Sequence, residues 1–426
     1  MTNASKVAYK NGNVIYWFIL LFIPFGLFFY KYTGYEFYDE AALVTLLAYM
    51  LLTVKKYPKE ALICGLLFVF YILYSLYLGL NIPKACFLDM LQQAKPYIAF
   101  YCTYTMAIII KDKKYAKIRK YVIAFAIFLF VLMAQRFTTR HGQIPIIGHP
   151  TFGATCSFVL ALLYLLFSKQ TKKDKYIALL IMAIGLLSGR SKFYGDFILY
   201  VFLFFFLKKK LSFNLKYLVI GALVVGIVLI FTWEKFDYYF IAGMDDPNNI
   251  RALLTKNTPV IMNEYFPFGS GFATFGNVTS SDYFSPLYLS HGFEKVTAYG
   301  GLYAGNAFFL ADSFLPNLAQ YGYFGLIFFC AFWYKRWKEV KRINNATAYK
   351  TALFIMGILF AENLADTMYM SNRGMMLFIL LGLILNPQAE LNKFMHVGGN
   401  IKERTLVQEG AIEGDRENKE HTILNS

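Results

Sequence analysis

The run Tyr265-Phe-Pro-Phe-Gly-Ser-Gly-Phe-Ala-Thr-Phe-Gly276 lies inside residues 232–314. That region is the one long polar segment between hydrophobic blocks. The rest of the chain alternates apolar runs with short basic loops, and it reads as scaffold that places this segment on one side of a membrane. Gly269, Gly271 and Gly276 allow a tightly bent backbone there. The preceding stretch, residues 248–266, has Ile250, Leu253, Leu254, Val260, Ile261 and Met262 at partly helical spacing and predicts a surface or interfacial helix.

Bulk composition agrees. The 426 residues are 58% hydrophobic and only 16% charged, against about 25% charged in ordinary soluble domains. An integral membrane protein is expected. The net charge of +16 sits in short clusters between apolar runs, which is a topological signal and a contact with anionic headgroups, not a nucleic-acid surface. The five cysteines, Cys64, Cys86, Cys102, Cys156 and Cys330, fall mostly within apolar runs, without CxxC spacing or companion histidines. They read as packing residues, so neither a disulfide framework nor a metal site is expected. The first apolar run, Val14 to Tyr30, reads as a retained span and not a cleaved signal.

A helix needs about 20 apolar residues to cross the hydrocarbon core. Candidate spans are 13–30, 38–54, 60–80, 95–110, 121–135, 151–168, 176–188, 192–207, 216–232, 315–334, 350–365 and 373–386. With the N-terminus in the cytoplasm, every loop on that side is rich in lysine: Lys55 to Lys59, Lys111 to Lys120, Lys169 to Lys175, Lys208 to Lys216, and Lys335 to Arg342. The opposite loops are short and nearly free of lysine, apart from the long one. The positive-inside rule then gives an all-α, polytopic protein with about twelve transmembrane helices and both termini cytoplasmic. Residues 1–232 hold spans one to nine, 233–314 the large extracytoplasmic loop, 315–387 spans ten to twelve, and 388–426 a polar, disordered cytoplasmic tail.

The outer arginines need a different reason from the lysines. Arg136, Arg140, Arg190, Arg251 and Arg373 fall on that side. A lipid headgroup accounts for any one of them. Several together can converge on one anionic ligand, because a guanidinium offers a planar fork of donors suited to phosphate oxygens. His141, His149 and His291 are also outside; a loop histidine is either structural or a general base near neutral pH. Asp312, just before a span, is either a structural partner for an arginine or a catalytic group.

Four stretches resemble the Wzy-type bacterial polysaccharide polymerases, in the superfamily shared with the WaaL-like O-antigen ligases. They are Gly148-His-Pro-Thr-Phe-Gly153, Leu187-Ser-Gly-Arg-Ser-Lys-Phe193, Arg251 followed by the glycine-rich run at 265–276, and Asp312-Ser-Phe-Leu-Pro-Asn-Leu-Ala-Gln-Tyr-Gly-Tyr-Phe-Gly-Leu326. The resemblance implies a GT-C-like architecture in the bacterial cytoplasmic (inner) membrane. It implies metal-independent glycosyl transfer without a cofactor, from an undecaprenyl-pyrophosphate-linked glycan donor to a lipid-linked acceptor, with membrane lipids and optionally a chain-length regulator as further partners.

The resemblance also assigns roles. Arg190, Arg251, Arg140 and Lys192 form the pyrophosphate-binding set, and Arg190 and Arg251 match the family's arginines best. His149 and Asp312 are the catalytic candidates. The ligase branch places a histidine in the closing part of the loop. Gly305-Asn-Ala-Phe-Phe-Leu-Ala-Asp312 has none, which argues against a ligase. Loop aromatics such as Phe266, Phe272, Phe275 and Tyr288 either stack on sugars or pack the loop. Two alternatives remain: a ligase of the same fold, and a lipid-linked glycan flippase or transporter. A transporter usually shows internal repeats with sites at mid-membrane, and no repeat is visible here.

Overall fold

The computed structural model describes residues 3–30, 38–138, 144, 146–207, 248–297, 310–311, 313–364 and 366–387, with isolated positions between 226 and 246. The expected span at 216–232 (apart from position 226) and the tail at 388–426 lie outside the described residues. What is described is all-helical, and its extended pairing is confined to one bridge between Ile144 and Gly148.

The main helices are α1 (Asn3–Phe22), α2 (Tyr38–Thr53), α3 (Lys59–Leu78), α4 (Pro83–Thr105), α5 (Asp112–Gln135) and α6 (Pro150–Leu166). They continue as α7 (Lys172–Ile184), α8 (Ser191–Val201), α9 (Ile250–Glu264), α10 (Leu318–Arg342), α11 (Ala346–Asn363) and α12 (Asn372–Leu385). Among the described residues, three helices are long and apolar enough to cross a membrane: Ser5–Phe28, Lys59–Leu78 and Asp112–Gln135. Pro150–Leu166 and Asn372–Leu385 are apolar but shorter. The expectation of about twelve crossings is finer than this.

The bundle is built around α12, in which every residue from Arg373 to Leu385 is buried. A helix apolar on all faces has no side to give to water. It packs on α4 and α6. A methyl group on Gly382 would collide with the Phe100 carbonyl and the Thr103 hydroxyl of α4, so only glycine permits this approach. The Thr103 hydroxyl donates to the Ile379 carbonyl at 3.0 Å. The Asn386 amide bonds the Thr103 and Met106 carbonyls at 2.7 and 2.6 Å, closing the end of α4. At the other extreme, α3 exposes Leu62, Leu66 and Leu73. Such an outward apolar face suits lipid, not water.

One boundary differs from the expectation. The fourth helix begins at Pro83 and ends at Thr105, whereas the apolar window falls at 95–110. Asp89, Gln92 and Gln93 hide its first half from a hydropathy reading, and Lys95 marks where that reading begins. These residues are engaged within the protein. Lys95, itself buried, pairs with Asp39 at 2.6 Å and also with Glu40, both in the first turn of α2. Asp89 and Gln93 hold the polar loop.

That loop is a compact unit. Asn249 caps α9, accepting from the Ala252 amide at 3.3 Å. Leu254, Ile261 and Met262 of α9 join Phe275, Leu287, Tyr288 and Phe293 in a small separate core. Gly269, Gly271 and Gly276 have φ of 79°, 81° and 74°, a region that side chains with a Cβ rarely adopt. Gly269 lies against Gly322, where α10 is kinked with φ 60°. A methyl group on either would strike the backbone nitrogen of the other. The Ser270 and Gly271 amides donate to the Ala319 and Gln320 carbonyls at 3.1 and 2.9 Å. On the other side, the Phe272 amide donates to Ser75 at 2.7 Å and the Ala273 amide to Asp89 at 2.6 Å. The loop is thereby clamped between the α3–α4 turn and the start of α10.

Candidate functional site

The end of α5, the start of α6, the turn between α7 and α8, and the junction between α11 and α12 converge. Each supplies a charged or titratable group. At the α7–α8 turn, a 3-10 segment (Gly185–Ser188) ends on Gly189 at φ 62°, and Arg190 then starts α8 as its N-cap residue. A left-handed residue here reverses the chain sharply, so Arg190 is presented at the tip. Arg136 follows α5 directly and donates from Nη1 to the Leu187 carbonyl of the same turn at 2.8 Å. His149 holds the N-cap position of α6 ahead of Pro150, a proline suited to the first helical position because it lacks an N–H.

Arg190 Nη2 lies 2.7 Å from His149 Nε2. A guanidinium only donates, so Nε2 must accept, which assigns the imidazole proton to Nδ1. The Thr151 amide also approaches Nδ1, at 3.4 Å; this is the weaker contact by distance and yields. Arg190 is half-buried, and its Nε has no hydrogen bond among the described residues. Burial, and then the charge of Arg136, pull its guanidinium below its usual range. It remains charged at any physiological pH.

Two further cations complete the cluster. Arg373, buried at the start of α12, lies 4.0 Å above the Phe152 ring and donates to the Thr155 hydroxyl at 3.1 Å. Phe152 also faces His149, with ring centroids 6.1 Å apart. Lys192, two residues after Arg190, contacts Glu362 at 2.6 Å and Asp366 at 3.1 Å. Burial alone would raise the Asp366 carboxyl, but Lys192 and then Arg373 outweigh it and hold it below the usual carboxylate range. Asp196, buried on α8, sits beside Glu362 and within reach of the Lys192 charge. The ensemble is net positive. It can bind an anion with several oxygens, and it keeps an imidazole beside that anion.

No protein-family model, curated protein or solved structure matches this chain. The site therefore stands on its geometry. Among the described residues, no three His, Cys, Asp or Glu side chains gather as a metal site.

The structure unites part of the set expected from sequence. His149 and Arg190 touch, and Lys192 is nearby, its ammonium on Glu362 and Asp366. Arg251 is in the first turn of α9, on a different element from the α7–α8 turn that carries Arg190. Arg140 and Asp312 lie outside the described residues. The residues that flank Asp312 are informative: Ser313 is buried, and the Phe314 amide donates to the Asn363 carbonyl at 3.2 Å. The closing end of the loop therefore reaches the end of α11, one residue from Glu362.

His291 has another role. Its ring contacts Glu264 at 3.1 Å and the Leu287 carbonyl at 2.8 Å, tying the loop to the end of α9. Phe272, Phe275 and Tyr288 are buried in the packing, while Phe266 is 72% exposed.

Asp196, Glu362 and Asp366 escape the candidates drawn from sequence. A signal exists, because acidic residues within or at the end of an apolar run are costly unless paired or used. Breaking the set gives a direct test. Lys192→Met should destabilise the protein by about 2–4 kcal/mol, since it strands buried carboxylates. Adding Glu362→Gln should recover part of that loss, as read by thermal unfolding in detergent. Equal stability of Lys192→Met and wild type would show that Lys192 does not support the fold and is available to a ligand.

Proposed function

We propose that this chain is a glycosyltransferase that polymerises polyisoprenyl-pyrophosphate-linked repeat units into a surface polysaccharide, on the outer side of a bacterial cytoplasmic membrane. The observation that carries this reading is the contact of Arg190 with His149 inside the cluster of Arg136, Arg373 and Lys192. A basic, anion-binding site with an adjoining imidazole is what transfer from a diphosphate leaving group requires.

In this reading the chain crosses the membrane about twelve times in a GT-C-like arrangement. The loop at 233–314 lies outside and both termini lie in the cytoplasm. The lysines in and beside the connections α2–α3, α4–α5, α6–α7 and α10–α11, most of them in the adjoining helix ends, then face the cytoplasm, as the positive-inside rule asks. The loop and the cation cluster share the opposite end.

The bond between the donor's anomeric carbon and the pyrophosphate oxygen breaks, and the acceptor hydroxyl oxygen bonds to that carbon. Arginine forks stabilise the charge that develops on the departing pyrophosphate, where electrostatic preorganisation acts most strongly. The hydroxyl proton needs an acceptor. His149 Nε2 is occupied by Arg190 in the resting state. An anion that draws Arg190 toward itself uncovers that lone pair, so the base is available only when the donor is bound. Asp312 is the second candidate base, next in sequence to Ser313 at the closing end of the loop.

The test is reconstitution of the full-length protein in liposomes with lipid-linked repeat units. The expected product is a ladder of polymer on the carrier lipid. Transfer of preformed glycan to a non-carrier acceptor without growth would indicate a ligase. Transbilayer movement without new glycosidic bonds would indicate a flippase. Absence of new bonds under all conditions would remove the transferase reading.

A further inference from the structure

A cleft of about 290 Å³ runs between α3, α4 and α10, and none of the cluster arginines lines it. Its walls are largely rings: Phe68 from α3, Tyr97 and Tyr101 from α4, and Phe328 and Phe332 from α10. The polar groups along it are mostly engaged elsewhere. The Gln93 amide is on Asp89 at 3.0 Å, and the Tyr71 hydroxyl is on the Tyr321 carbonyl at 2.6 Å. A sugar would find few donors here, whereas a hydrocarbon would find a continuous apolar wall.

The cleft is long. Its α3 face runs from Glu60 to Tyr71 and its α10 face from Leu318 to Lys335, which is about 16 and 25 Å at 1.5 Å per residue. The hydrocarbon core of a bilayer is about 30 Å thick. The lengths therefore suit one extended chain standing along the membrane normal. The outer face of α3 is apolar and exposed, which leaves lateral access from lipid.

The two ends differ in charge. At the Lys335 end, Glu60 is held by Lys335 at 2.5 Å and by Arg336 at 2.8 Å. Arg336 is itself buried against the Phe100, Tyr104 and Phe332 rings. Arg336 also pairs with Glu339 at 3.2 Å, so two carboxylates balance two cations and this end has no surplus positive charge for an anionic headgroup. Further along, the wall is the stacked pair Phe314 and Tyr369, with centroids 4.7 Å apart. Tyr369 lies in the segment between Asp366 and Arg373, and Phe314 lies two residues after Asp312. The cleft thus runs past the segment that carries the cation site.

We infer that this cleft seats the single polyisoprenyl chain of a lipid-linked substrate and sets its phosphate at the level of the Arg190–Arg373 cluster. A methyl-branched, unsaturated chain suits a wall lined by rings that leads toward the segment carrying Arg373. The inference rests on the reading that the substrates are lipid-linked.

The test uses full-length protein in nanodiscs and a polyisoprenyl monophosphate carrying a photoreactive group near the end of its chain. Irradiation should place adducts on peptides from residues 59–78, 93–101 and 318–335. Excess unlabelled polyisoprenyl phosphate should compete, and phosphatidylglycerol should not. Ala331→Trp, which fills the cleft, should lower the adduct yield about tenfold or more, as loss of a central anchor contact does. Leu67→Trp, from the facing helix, should do the same and guards against a folding defect in either variant.

Adducts spread evenly over all lipid-facing helices, or equal competition by phosphatidylglycerol, would overturn the inference. Cleft adducts on a protein that makes no polymer would keep the lipid site and remove the polymerase reading. Full polymer synthesis by both tryptophan variants, with adducts at unchanged yield, would remove the cleft.

Discussion

Arg190→Ala should lower the rate of chain growth by about 10²–10³-fold, the usual consequence of losing one preorganised donor to a developing negative charge. The turn that carries it should stay folded, because Gly189, Ser188 and the Arg136 contact to Leu187 do not use the Arg190 side chain. Thermal stability should therefore move by less than about 1 kcal/mol, as for most partly exposed substitutions away from a buried network. Arg190→Lys should recover little. A lysine provides a point charge and no planar fork, and the bidentate geometry toward two phosphate oxygens is lost. Initial rates on purified lipid-linked repeat units measure the effect, with unfolding temperature as the control. Wild-type rates in Arg190→Ala would detach the cluster from the chemistry. A fall in rate matched by a fall in stability would assign Arg190 to the fold instead.

This site is only partly legible in the sequence. The turn around Arg190 announces itself, because a glycine between two apolar runs, followed by an arginine and a lysine, marks a tight reversal with cations at its tip. His149 before Pro150 is a helix start on its face. Their 2.7 Å contact is not legible, since 41 residues separate them and only the packing of α6 on the α7–α8 turn closes that distance. The carboxylates escape for a related reason. Glu362 and Asp366 lie at i and i+4 at the end of an apolar run, where a hydropathy window records a boundary and not a pair.

The same bias displaces α4. A window that rewards apolar residues starts only at Lys95 and skips Asp89, Gln92 and Gln93, and so loses the half of the helix that faces the loop. The loop is more direct to read. Three glycines within eight residues demand a bent backbone, and the φ values at Gly269, Gly271 and Gly276 show where each bend falls. What they bend around, a fully buried aspartate on a distant helix, has no signature in the loop itself.

Asp89 therefore makes the second large prediction. Its Oδ2 accepts from the Ala273 amide at 2.6 Å, the Asn277 amide at 2.8 Å and the Gln93 amide at 3.0 Å, while Oδ1 has no hydrogen bond among the described residues. Asp89→Ala removes one acceptor and leaves three buried donors without it. At about 1–3 kcal/mol for each unsatisfied group, with partial relaxation, the loss should be about 3–5 kcal/mol. Asp89→Asn should cost far less, about 1 kcal/mol, because an amide oxygen can replace Oδ2 and the new NH2 takes the place of the oxygen that has no donor.

The effect should also be local. The contacts that hold α12 against α4 lie at Phe100, Thr103 and Asn386, toward the other end of α4, and do not involve Asp89. In Asp89→Ala the loop at 250–297 should become sensitive to protease added from outside, while the helical bundle keeps its far-ultraviolet signal. Chain growth should fall with the loop, because residues 313–314 bring the loop's closing end to α11 beside the cation cluster. Global unfolding of Asp89→Ala and Asp89→Asn alike would mean that this carboxylate holds the whole bundle together. Unchanged protease resistance in both would mean that the loop is held by its glycine contacts to α10 alone.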